Sequence, residues 1–281
     1  MAVSYSKSDR MRRGRSAVMT SLTALCTLLA VGALLLILSY IAWQGIGSLS
    51  FQFLVESPKP VGEGGGIGNA ILGSLVLLLI SSVFGLPLGI CVGIYLSEVG
   101  TGRLAGAVRF IVDTLTGIPS IVTGVFVYAV LVLPMKHFSA LAGGVALGLI
   151  MIPIVARTTE EMLKLVPHSL REGALALGAP QWRVTMGVII PAAAPGIATG
   201  AMLAIARVSG ETAPLLFTAF GSRFFPTSLN EPIASLTVQI YNYAISPYDE
   251  WHAQAWAATL VLMTLVLGIN IIVRFLTRKR F

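Results

Sequence analysis

The chain has 281 residues, of which 56% are hydrophobic and only 11% charged, with a mean hydropathy of +0.86. Such values exclude an ordinary soluble domain, and at roughly 20 apolar residues per membrane-crossing helix they supply several crossings. The excess of 19 Lys and Arg over 12 Asp and Glu is then a matter of membrane topology rather than of nucleic-acid binding. Cys26 and Cys91 lie in apolar runs without metal-ligand spacing, which excludes a disulfide scaffold or a zinc site, and both are expected as small buried hydrophobes.

In chain order, uncharged apolar runs at about residues 17–42, 67–97, 140–156 and 253–273 predict four crossings. Two further runs carry charges: 110–134 contains Asp113, and 184–220 contains Arg207 and Glu211. The expected fold is all-α, a polytopic membrane protein with six transmembrane helices. Lys7, Arg10, Arg12, Arg13 and Arg15 precede the first run, as in a secretory signal. That run is too long for a signal core, however, and no A-x-A-like cleavage site follows it, so a retained helix is expected. The 184–220 run is longer than one ordinary span. Its first part is expected at or below the cytoplasmic interface, with a bend near Pro191 to Pro195.

Six crossings put both termini on one side, and the basic residues test this. The N-terminal tail, Arg103 and Arg109, the segment 157–183 and the C-terminal tail together hold 15 of them, against only Lys59, Lys136 and Arg223 in the opposite set. Both termini are therefore expected in the cytoplasm, with the chain a multi-pass membrane protein. The organisation expected is a basic tail, first helix and outer loop over 1–67, a transmembrane domain over 68–275, and a basic tail over 276–281. In the outer segment 221–252, Tyr241, Tyr243, Tyr248 and Trp251 suit a membrane interface.

Glycines recur at four-residue spacing at Gly85, Gly89 and Gly93, at Gly144 and Gly148, and at Gly196 and Gly200. Static close packing explains such seams; helices that rock about a central site use the same seams. Pro87, Pro119, Pro153, Pro191 and Pro195 interrupt the spans.

The inner loop, about 157–190, carries Ser169 and Glu172 at capping-box spacing, then Gly178 and Pro180. A helix of about eight residues is expected, starting at Ser169 and ended by a left-handed Gly178. It is too short to stand alone in water, and leucines surround it, so it needs a partner. Glu172-Gly173-Ala174, then Gly178, then Val188-Ile189-Ile190-Pro191, resembles the E-A-A, x3, G, x9, I-x-L-P motif of type I ABC importer permeases, with Gly173 in place of Ala and Val188 and Ile190 in place of Ile and Leu. The resemblance implies the type I ABC importer permease fold. It also implies a coupling helix seated on a separate ATPase, with Arg171, Glu172, Gly173, Ala174 and Gly178 as the coupling residues.

A charge at a helix centre costs about 2.5 to 3.5 kcal/mol on insertion scales, so Arg207, Glu211 and Asp113 need reasons. Arg207 and Glu211 are four apart and expected on one helical face, able to neutralise each other; Asp113 is a second candidate partner for Arg207. The pair is either a structural link between helices or a site in which a bidentate guanidinium meets a tetrahedral oxyanion, with Glu211 as the competing charge that keeps occupancy reversible.

The segment Arg207-x-x-Gly210-Glu211-Thr212-Ala213-Pro214-Leu215-Leu216 is similar to the A-type permease family of phosphate-specific (Pst) importers. So are Asp113-x-Leu115-x-Gly117-x-Pro119-Ser120 and Pro153-x-Val155-x-Arg157-Thr158-Thr159-Glu160. The likeness spans about 68–275. It implies a substrate pathway with Arg207, Glu211, Thr212 and Asp113. The partners implied are a C-type permease, two ATPase subunits and an extracytoplasmic phosphate-binding protein. Arg157 also matches a family position, and a snorkelling or interface role is the plainer alternative for it.

No Lys follows a Gly, so the chain has no phosphate-binding loop of its own. It is expected to be no enzyme and to bind no cofactor or metal, with ATP and Mg on the partner ATPase. The alternatives are a permease for another oxyanion and an ATP-independent anion transporter or channel. Intramembrane proteolysis lacks its residues, because His137, His168 and His252 fall in loops and Asp113 is the only intramembrane Asp.

Overall fold

The computed structural model describes residues 7–278, and within them the fold is helical. α1 (Lys7–Ile46) is followed by the short α2 (Phe51–Val55), then α3 (Gly68–Ile94), which continues through a π turn at Tyr95–Val99. α4 (Gly102–Gly117) and α5 (Ser120–Val127) follow, α5 running through a second π turn, Tyr128–Val132, into α6 (Leu133–Met135). α7 (Ala140–Lys164) and the loop helix α8 (His168–Ala176) come next. α9 (Gln181–Val184) passes through a third π turn, Thr185–Ile189, into α10 (Ile190–Ser209). α11 (Ala213–Thr218), α12 (Leu236–Ala244) and α13 (Asp249–Arg278) complete the chain. The basic tail beyond Arg278 lies outside the described residues, as do residues 1–6.

Five helices among the described residues are long and apolar enough to cross a membrane: Gly14–Ile46, Gly68–Val99, Ala140–Lys164, Gln181–Ser209 and Asp249–Phe275. The sixth expected span, 110–134, is not one helix. Gly102–Gly117 and Ser120–Met135 meet at 105°. The cause is local: Ile118 precedes Pro119 and takes an extended ψ of 132°, as the clash with a following proline ring dictates.

Near Pro191 to Pro195, where a bend is expected, the helix is continuous. Gln181–Ser209 forms a single span, and the irregularity is the π turn before Pro191, where the Ile190 N–H reaches back to the Thr185 carbonyl. The turn before Pro134 is alike, with Leu133 bonding Tyr128. A wide turn ending at a proline places the residue without an N–H where the helical ladder has already been reset. The span then stops at Ser209, not at Phe220, and the chain turns through Gly210 to Thr212 into α11.

The core is the contact between α3 and α7. Leu77, Leu147, Met151 and Val155 are buried there, joined by Val208 from α10 and Leu215 from α11. The glycine seams lie in it. A Cβ on Gly89 would stand 2.7 Å from the Val155 Cβ, one on Gly148 2.0 Å from the Phe84 ring, and one on Gly200 2.3 Å from the Thr158 hydroxyl. The helices approach so closely that only glycine fits, a packing without water's help that membrane helices need.

α1 behaves differently. Its apolar window is 0% buried, and it touches the bundle near its C-terminal end, where Tyr40 meets Trp256 edge-on and Gly45 lies against Trp256 and Leu260 of α13. Cys26 and Cys91 are both exposed, correcting the expectation of burial: in a chain whose outer faces look toward lipid, an apolar position need not be an interior one.

Candidate functional site

The α4–α5 break opens a cavity of about 320 Å³. Hydroxyls of Thr116, Ser120 and Thr123 line it together with Phe126, Ile150 and one charged group, Arg207. Arg207 sits in the last turn of α10, where the negative end of the helix dipole favours a cation. Its Nε is 3.9 Å from Glu211 Oε1, the two side chains being 52% and 16% exposed. That contact is an ion pair but not a hydrogen bond, so the guanidinium fork keeps its donors free. The expected shared helical face is not how they meet. Glu211 lies past the end of α10, in the corner before α11, its carbonyl accepting the Thr237 hydroxyl at 2.9 Å. Thr212 directly precedes α11 and its carbonyl accepts the Leu215 N–H at 3.1 Å. Among the described residues the cavity lining includes Arg207 but not Glu211, Thr212 or Asp113.

Asp113 pairs with Arg157 at 3.5 Å, and not with Arg207. Arg157 is therefore held by carboxylates rather than left to snorkel, also meeting Glu161 at 3.0 Å and Glu160 at 3.8 Å. Glu160 is the centre of this group. Its side chain is 1% exposed, with Arg109 at 2.8 Å and Lys164 at 2.5 Å, and Arg109 also donates to the Leu96 carbonyl at 3.3 Å. A buried carboxylate needs such compensation. Sequence reasoning passed over Arg109 and Glu160; the available signal was the overlapping four-residue spacing of Arg157 with Glu161 and of Glu160 with Lys164.

At the end of the bundle that carries these charges, α8 begins at His168 after Pro167, with no side-chain cap. The capping box at Ser169 does not form, because Pro167 already sets the turn and the helix starts one residue earlier. Gly178 does take the left-handed conformation, φ 83°. α8 has no buried residue; Glu172, Gly173, Leu170, Leu175 and Leu177 face outward and Ala174 is half-buried. Its most specific attachment is Arg171, whose two guanidinium nitrogens take both oxygens of Glu98, one at 2.9 Å. Glu98 is 1% exposed at the end of α3 and also lies 3.5 Å from the Thr185 hydroxyl. This hydrogen bond raises the Arg171 pKa above its ordinary value, against the opposing effect of burial. Of the loop residues singled out in the sequence, Arg171 thus points into the protein, while Glu172 remains on the outer surface.

The family described as binding-protein-dependent transport system inner membrane component matches residues 85–281. The phosphate transport system permease protein PstA of Yersinia pestis is 46% identical over 98% of this chain and 94% of its own length. A probable phosphate transport system permease protein PstA of Methanocaldococcus jannaschii is 39% identical over 89% of both chains. Among solved structures, a bacterial alginate ABC transporter in complex with an alginate-bound periplasmic protein superposes with a TM-score of 0.67 at 15% identity, covering 96% of each chain. The methionine transporter MetNI gives 0.62 at 23% identity, over 76% of this chain and 95% of that one. These two share the fold. With the broken third crossing, the loop helix and Arg207 on its cavity all in place, the chain belongs to the PstA permease family of binding-protein-dependent transport system inner membrane components.

Proposed function

We propose that this chain is one membrane-spanning half of an ATP-driven phosphate importer. The observation that carries the reading is Arg207, a guanidinium with free donors on the cavity at the α4–α5 break, beside Ser120 and Thr123. A planar fork matches two oxygens of a tetrahedral anion, and Ser120 and Thr123 add neutral donors; the Thr116 hydroxyl is spent on the Val112 carbonyl at 2.9 Å. Glu211 competes for the same guanidinium, so a bound anion is released rather than trapped. Thr212 fixes the corner that carries Glu211, and Asp113 holds Arg157 beside the pathway. The names of relatives 39 to 46% identical support phosphate as the anion.

The chain works with a C-type permease forming the other half of the pathway, two ATPase subunits and an extracytoplasmic phosphate-binding protein. ATP and Mg belong to the ATPases, and this chain binds no cofactor. The end bearing α8 faces the cytoplasm, as do both termini, in keeping with the basic residues concentrated there. α8 docks on an ATPase through its outward face, Glu172 and Gly173, with Ala174 packed beneath it against the bundle and Gly178 ending the helix. Nucleotide-driven movement passes through Arg171 and Glu98 to α3.

The test is radiolabelled phosphate uptake by cells carrying Arg207→Gln. Uptake is expected to fall by about a hundredfold, the loss of a charge-assisted pair. Uptake at the unmutated level would remove Arg207 from the pathway.

A further inference from the structure

The end of the bundle opposite α8 holds a second cavity, of about 370 Å³. Its walls come from four stretches: Lys59 after α2, the corner 220–223 after α11, the α12 face carrying Gln239, Asn242 and Tyr243, and Trp251 of α13. Lys59 and Arg223 are cationic, and no Asp or Glu lines it. That runs against the character of this end, which has only Lys59, Lys136 and Arg223 as basic residues. Two of the three converge on one cavity.

Both cations have unused capacity. Arg223 makes no ion pair or hydrogen bond among the described residues. Lys59 gives one contact to Glu56 at 2.6 Å, leaving donors of its ammonium free. The corner that brings Arg223 here is firmly built. Phe220 sits at φ 61° and Gly221 at φ 124°, a left-handed path that a phenylalanine adopts reluctantly. Stacking of Phe220 on Phe138 at 4.8 Å secures it, and the Ser222 carbonyl accepts the amide of the buried Asn69 at 2.7 Å. The opposite connection leads to Arg207: α12 is bonded to the Glu211 carbonyl through Thr237, and α11, about 9 Å of helix, joins Glu211 to the 220–223 corner.

We propose that this cavity is a second oxyanion site, an antechamber that takes inorganic phosphate before it reaches Arg207. The inference rests on the import reading above. Two cations from different parts of the chain attract the anion, the amide of Asn242 supplies neutral donors while Gln239 and Tyr243 hydrogen-bond each other beside it, and Glu56, already on Lys59, keeps the attraction moderate. Moderate binding suits a site that must pass its occupant onward.

The test uses the complete transporter in proteoliposomes, supplied with phosphate-loaded binding protein, comparing the unmutated chain with the double variant Lys59→Gln, Arg223→Gln. Uptake at subsaturating phosphate is expected to fall by about fivefold or more, while the affinity of the transporter for its binding protein changes by less than about twofold. Radiolabelled inorganic phosphate bound by the solubilised complete transporter, without binding protein, is expected to persist in Arg207→Gln at a level that the double variant loses. Unchanged uptake would overturn the proposal. So would a fall in uptake matched by an equal fall in binding-protein affinity, which would make the cations a docking contact for acidic side chains. Absence of phosphate uptake by the unmutated transporter would instead overturn the import reading itself.

Discussion

Glu160 and Arg207 are two charged groups in the same bundle that differ in how far opposite charges surround them, although Glu160 Oε2 itself makes no hydrogen bond. Glu160 is 1% exposed and surrounded by Arg109, Lys164 and Arg157; Arg207 is 52% exposed with one carboxylate at 3.9 Å. The first arrangement stabilises structure and the second leaves room for a ligand. Arg109, which reaches Glu160 with two nitrogens and also holds the Leu96 carbonyl, is therefore expected to matter more to folding than Lys164, whose side chain is 54% exposed. Arg109→Met should destabilise the solubilised chain by about 2 to 3 kcal/mol, while Lys164→Met costs under about 1. Thermal unfolding in detergent checks the order, and equal effects would refute it. The sequence made Arg207 and Glu211 conspicuous because a charge amid apolar residues has no inexpensive explanation. Arg109, Glu98 and Glu160 were silent because they stand near the ends of apolar runs, where charges ordinarily meet headgroups and water.

Among the helices, α8 is held by a side chain rather than by a buried face. None of its residues is buried, so the bidentate contact of Arg171 with Glu98 is its most direct mechanical connection to a spanning helix. Arg171→Gln is expected to leave the ATPases attached, since Arg171 points inward, yet to lower phosphate carried per ATP hydrolysed by about fivefold. The charge exchange Glu98→Arg with Arg171→Glu should recover part of the loss. By contrast, Glu172→Lys alters the outward face and should release the ATPases on purification. Reversal of these two outcomes would exchange the assigned roles.

The existence and end of α8 were legible, because Gly178 has a single backbone reason to be there. Its start was misread by one residue because Pro167 does what Ser169 was expected to do. The break at Ile118 and Pro119 was visible only as a proline in a span. Whether a proline bends a helix, stops it or is absorbed by a π turn depends on neighbours that spacing alone does not reveal: Pro87 and Pro153 lie inside helices, while Pro119 ends one.

At the scale of the whole molecule, much apolar surface remains uncovered. α1 is exposed along its apolar window, and Cys26 and Cys91 lie on exposed faces. In a membrane these faces meet lipid or other subunits, so exposure measured on one chain is not contact with water. Both cysteines are accordingly expected to resist a membrane-impermeant maleimide in intact vesicles and to react with a lipid-soluble one. Rapid labelling of either by the impermeant reagent would place it on an aqueous path. The five unbroken crossings were legible because burial in hydrocarbon demands length and apolarity from each segment separately. Which faces pack on which was legible only at the glycine seams, where the absence of a side chain is itself the packing information.

The π turn at Thr185–Ile189 stores one residue of slack in the span that delivers Arg207. A wide turn of this kind accommodates an extra residue without altering the helix on either side. Shortening the chain by one residue inside it, for instance by removing Val188, should leave Arg207 facing its cavity and uptake largely intact. The same deletion at Ala198, in regular helix, would rotate everything beyond it by about 100° and turn Arg207 away. Phosphate uptake by the two deletion variants checks this, and equal loss in both would refute it. Insertions and deletions in this span are therefore expected to be tolerated next to Pro191 and nowhere between it and Arg207.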